Sequence, residues 1–153
     1  MATVTTGART PTSLWIVGAL AVLWNAYGAY DYLMTRMRNV EYLRSAMPSV
    51  DPQAMLDYVD AMPIFAQFGW GLGVWMGLAG ALLLLARSRF AVHAFALSLL
   101  GIVLSIGYSL TLAPPPPAGA DEGIGKFMPY VVIVVGIALL VFARSMQRKG
   151  ALR

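Results

Sequence analysis

Apolar residues come in four long blocks along this chain, at roughly residues 14 to 34, 64 to 86, 91 to 113 and 127 to 143. Each block approaches the ~20 apolar residues that cross a bilayer core as a helix. The pattern predicts an all-α membrane protein in which residues 1–153 form a single domain, a four-helix up-down transmembrane bundle. An outer loop is expected over 35–63 and a flexible outer loop over 114–126. Four crossings return both termini to the same side.

The polar positions orient the blocks. All seven acidic residues, Asp31, Glu41, Asp51, Asp57, Asp60, Asp121 and Glu122, fall on the side opposite the termini. Arg9, Arg87, Arg89, Arg144, Arg148, Lys149 and Arg153 gather on the terminal side with no acid among them, whereas only Arg36, Arg38, Arg44 and Lys126 lie on the other. Short loops rich in Lys and Arg stay in the cytoplasm, so both termini are expected there. Arg9 precedes an apolar stretch too long for the apolar region of a signal peptide, and residues 1 to 12 read as a short cytoplasmic tail.

Composition narrows the picture. With 59% hydrophobic and 12% charged residues, against about 25% charged in globular domains, the bilayer is the natural solvent for this chain. The net charge of +4 does not point to nucleic acid, because the cations are spread over loops and tails and topology accounts for them. The absence of cysteine excludes disulfides, thiolate metal sites and cysteine nucleophiles.

The first block carries most of the intramembrane polarity. Thr12 or Ser13 is expected to cap its start. Asn25 falls near the bilayer midplane and Asp31 near the outer boundary, with Tyr27, Tyr30 and Tyr32 in the outer half. At 100° per residue, Asn25, Gly28, Tyr32 and Thr35 share one face of about 80°, and that face should turn inward. An amide facing lipid would leave its polar atoms unpaired, at several kcal/mol. Beyond the bilayer, Arg36, Arg38, Glu41 and Arg44 alternate with Val40, Tyr42 and Leu43 as if the first helix continued to a stop at Met47 and Pro48. Asp51 and Pro52 then signal a new start, an acidic N-cap followed by proline. The short amphipathic helix from Pro52 to Ala61 would have Met55, Tyr58, Val59 and Met62 as its apolar stripe.

Glycine dominates the second block. Gly69, Gly73 and Gly77 recur every four residues and Gly80 continues the small face. Such a stripe lets another helix backbone come close, which matters where packing drives association. A seam within the chain is the default reading, and homodimerisation the other. The short link Arg87 to Phe90 makes blocks two and three an antiparallel hairpin. On block three, Ser98, Gly101, Ser105 and Tyr108 form a small hydroxylated face whose bonds to a neighbouring helix suffice to explain it. Pro114 to Pro117 reads as a stiff spacer. Block four, rich in Val and Ile, should face lipid along much of its length and be anchored by its basic tail.

Little of this is chemistry. One His and no Gly-x-Ser-x-Gly, His-Glu-x-x-His or Walker-type run leave no expected catalytic residue, metal site or cofactor. Asp31 reads as an anchor reaching water or the cations Arg36 and Arg38, with a proton, cation or polar-ligand role as the alternative. His93 reads as an interfacial polar anchor.

Leu23 to Asn25 with Gly28 and Tyr32, Gly73 to Gly80 running into Leu82 to Arg87, Phe95 to Leu100, Tyr108, Met128, Pro129 and Phe142 to Arg144 together resemble a family of small four-helix inner-membrane proteins of proteobacteria, often automatically labelled "sugar transporter". The resemblance runs from Trp15 onward and implies a bacterial inner-membrane location, with no catalytic or binding residues to carry over. Two function classes stay open. One is a non-catalytic accessory or assembly subunit contacting a protein partner or a second copy. The other is a small transporter or channel component in which Asn25, Asp31, Gln67, Ser105 and Tyr108 line a polar cavity open to the outside.

Overall fold

A proline starts the first helix, and a proline starts the third and fourth. The computed structural model describes residues 10–153, and the N-terminal tail with Arg9 lies outside them. Six α-helices and one 3₁₀ turn follow in order, with no strand among the described residues: α1 (Thr12–Arg36), α2 (Val40–Ala46), α3 (Pro52–Asp60), α4 (Ile64–Leu85), α5 (Phe90–Thr111), the 3₁₀ turn Gly125–Phe127, and α6 (Met128–Arg148). α1, α4, α5 and α6, the last counted with its leading 3₁₀ turn, are long and apolar enough to cross a membrane.

At α1 the expected hydroxyl cap is not used. Pro11 stands at the N-cap in extended backbone without a side-chain bond, and its carbonyl accepts from the Leu14 amide at 3.0 Å. Thr12 and Ser13 therefore sit inside the first turn. Nor does α1 run on to Met47. It stops at Arg36, and Arg38 takes a positive φ of 56°, the left-handed conformation that breaks a helix. Asn39 then caps α2, its side chain accepting from the Tyr42 amide at 2.9 Å. Asp51 caps α3 by accepting from the Ala54 amide at 3.1 Å, with Pro52 in the first turn. On α3 the buried residues are Leu56 and Val59.

The long helices pack in series, α1 on α4, α4 on α5 and α5 on α6. The start of α1 lies beside the end of α4: Gly18 faces the side chain of Leu85. At the other end Arg36 reaches Gln67. The core is densest at the terminal end, where Leu14, Leu84, Ala91 and Phe95 are joined by Ala143 and Met146. The helix containing block four extends five residues beyond position 143, to Arg148. The chain beyond it folds back into this core. Ala151 and Leu152 are buried, and Arg153 pairs with the α4–α5 link through Arg89 N–H to Arg153 O at 2.8 Å and Arg153 N–H to Arg87 O at 2.6 Å. Arg87, at φ 58°, also donates from Nε to the Ala151 carbonyl at 3.1 Å. The tail thus carries packing as well as charge.

Candidate functional site

The α4–α5 hairpin is built on glycine. Gly69, Gly73, Gly77 and Gly80 are all buried. A Cβ on Gly101 of α5 would fall on backbone atoms of Gly69 and Gly73, so the two backbones touch where side chains would otherwise hold helices 8–10 Å apart. Gly80 makes room for the ring of Phe95. The Ser98 hydroxyl donates to the Gly73 carbonyl at 2.7 Å, a bond between the two helices.

α1 joins this hairpin through Asn25. Its Nδ2 donates to the Ala21 carbonyl of its own helix at 2.8 Å. Its Oδ1 lies against Gly77, in the space a Cβ there would occupy, with the Ser98 hydroxyl 3.1 Å from that same position. Asn25, Gly77 and Ser98 therefore meet where three helices converge. The inward face of α1 continues through Tyr32, set edge-on to Trp70 at 4.8 Å between ring centres and to Trp75 at 6.2 Å, and ends at the buried Thr35.

The remaining candidates are dispersed. Asp31 engages neither Arg36 nor Arg38 but accepts from the Tyr42 hydroxyl at 2.8 Å. The turn at Arg38 reverses the chain, so that α2 lies back along α1 and Tyr42 also stacks edge-on against Tyr30 at 5.3 Å. Burial and the Asp31 carboxylate both hold the Tyr42 phenol protonated far above the usual tyrosine range. Arg38 pairs instead with Asp60 at 2.5 Å, tying the turn to α3. Gln67 bridges helices, its Oε1 accepting from Arg36 Nη1 at 3.0 Å and its Nε2 donating to the Met62 carbonyl at 2.8 Å. Ser105 is buried, with its carbonyl accepting from the Ser109 hydroxyl at 3.1 Å. Tyr108 packs edge-on against Phe65 at 5.7 Å. His93 is exposed beside Phe90, whose ring also lies under the Arg89 guanidinium.

Of the five residues proposed to line a cavity, only Gln67 borders the open groove of about 320 Å³ between α1 and α4, whose other walls include Tyr32, Gly71 and Trp75. A second groove of equal size, between α1 and α6, is lined by Val17, Leu20, Ala21, Trp24, Val135 and Leu139. Among the described residues no cluster of three or more His, Cys, Asp or Glu could hold a metal. Ser98 bonds a neighbouring helix as its face predicts, but Tyr42 as the partner of Asp31 and Arg36 as the partner of Gln67 escape a linear reading, because each is supplied by a different element and no spacing rule links them.

All-helical, with four helices fit to cross a bilayer, the chain has the build of a multi-pass membrane protein. It matches no known family model, no curated protein and no solved structure.

Proposed function

We propose that this chain is a non-catalytic, multi-pass protein of a bacterial inner membrane, an accessory or assembly subunit that works bound to other membrane polypeptides. In this reading it is an up-down four-helix bundle with both termini in the cytoplasm, and α3 lies as an amphipathic helix over the opposite end. The excess of Lys and Arg at the terminal end supports the orientation. The resemblance to small four-helix inner-membrane proteins of proteobacteria supports the location.

One observation carries the choice of class. Among the described residues no buried side-chain nitrogen or oxygen lacks a hydrogen-bond partner, and the midplane amide of Asn25 is bonded within its own helix and pressed onto Gly77. A solute path across the midplane needs polar groups free to exchange partners with the solute. Here the Asn25 amide nitrogen and the Ser98 hydroxyl are spent on packing, and each would be expensive to free in hydrocarbon.

Native mass spectrometry of the protein extracted gently from its own membrane tests the proposal. A defined complex with other polypeptides is the expected result. A homo-oligomer that retains a small polar solute would overturn it in favour of a transporter or channel component.

A further inference from the structure

We infer that the groove between α1 and α4 is a binding site for an anionic phospholipid of the leaflet at the loop end, with one acyl chain in the groove and the phosphate on Arg36. The inference rests on the membrane placement of the four helices and not on the accessory-subunit reading. The groove begins at Gln67, within the first turns of α4, and runs along that helix past Phe68 and Gly71 to Trp75 and Met76. At 1.5 Å per residue that is about 14 Å, close to the half-thickness of a ~30 Å hydrocarbon core. Its length therefore suits a chain from one leaflet, entering from the loop end and stopping near the midplane.

Its walls suit a chain as well. Gly71 leaves the floor without a side chain, and a Cβ there would already meet the Tyr32 hydroxyl at 3.1 Å. Tyr32 is held in place edge-on to Trp70 and Trp75, so the slot exists before anything enters it, which lowers the entropy lost on binding.

The mouth supplies the headgroup partner. Arg36 is bonded to Gln67, a neutral amide, and among the described residues the one salt bridge joins Arg38 to Asp60. Arg36 thus forms no salt bridge with a described residue and is tied, through Gln67, to the end of an apolar slot, where its charge is complementary to a phosphate whose tail lies below it. The groove between α1 and α6 has the same volume and an equally uncharged lining, but none of its lining residues is bonded to a cation as Gln67 is to Arg36, and it is the internal control.

The test is made on the full chain in nanodiscs containing phosphatidylglycerol and phosphatidylethanolamine, followed by release into native mass spectrometry. Wild type should retain phosphatidylglycerol in preference. Arg36→Gln should lower that preference about fivefold, the effect of one surface cation on an anionic lipid. Gly71→Leu should lower retention of both lipids, whereas Leu20→Phe in the control groove should leave the preference unchanged. Should Gly71→Leu fail to accumulate, quenching of tryptophan fluorescence by brominated lipid replaces it. Brominated phosphatidylglycerol should quench wild type more than brominated phosphatidylethanolamine, and Trp75→Phe should remove the difference. Equal retention by wild type and Arg36→Gln, equal quenching by the two lipids, or a dimer that Gly71→Leu dissociates would each overturn the inference, the last by giving the groove to a second copy.

Discussion

Asn25 and Gly77 define each other. The amide oxygen occupies the volume that any side chain at position 77 would need, and it can do so because the amide nitrogen is turned back onto Ala21. Gly77→Ala should therefore lower the thermal midpoint in detergent, by the equivalent of about 1–3 kcal/mol for overpacking. Adding Asn25→Ala should restore part of it, since the colliding oxygen is gone. Simple additivity of the two losses in a double-mutant cycle would show that they do not touch. Tyr42 makes a prediction in pH. Its phenol is held protonated in the folded protein by burial and by Asp31, so the folded state binds this proton more tightly than the unfolded one. The stabilisation is then complete below pH about 10 and is lost as pH rises through the folded value. Thermal midpoints measured from pH 8 upward should fall above pH 10 in wild type and fall less in Tyr42→Phe.

At the scale of elements, hydropathy made the four long helices readable, because each depends only on a run of local composition. Their ends were less readable. α1 was expected to continue past Arg36 because charged and apolar residues keep alternating there, but a single residue at positive φ, Arg38, breaks it. No propensity rule singles out an arginine for that conformation. On α3 Val59 is buried and Met55, Tyr58 and Met62 are half-buried, while Leu56, which the stripe drawn from spacing omitted, is buried as well. The contact partners within the candidate site were beyond reach for a different reason. A periodic glycine stripe announces that something comes close but not what, and Gly101 is the residue that answers it. Its position admits no relief, since backbone rather than a movable side chain lies opposite. Gly101→Leu should abolish membrane accumulation, while Gly107→Leu, on the same helix with open space around it, should accumulate normally. Immunoblotting of membrane fractions separates the two.

For the whole molecule, the decisive quantity is which end faces which compartment. The chain contains no cysteine, so single cysteines report topology without background. Asp121→Cys should react with a membrane-impermeant maleimide on intact cells. Gln147→Cys should react only after permeabilisation. The reverse pattern would invert the orientation and, with it, the leaflet whose lipid the α1–α4 groove meets. The serial packing also grades the helices. α4 and α5 share the most intimate contact, and α6 touches the rest along one side, with Leu139, Ala143 and Met146 its buried residues.

The bond from Asn25 to Ala21 has a meaning in time. Ribosomes deliver chain at about 5–20 residues per second, so several seconds separate the emergence of α1 from that of Gly77, the residue it will rest on. Throughout that interval α1 is an early arrival with no neighbour. Because one N–H of its amide is already bonded to a carbonyl one turn back in the same helix, less of its polarity is left to satisfy while it waits in the membrane, and the newly made α4–α5 hairpin finds it ready to dock.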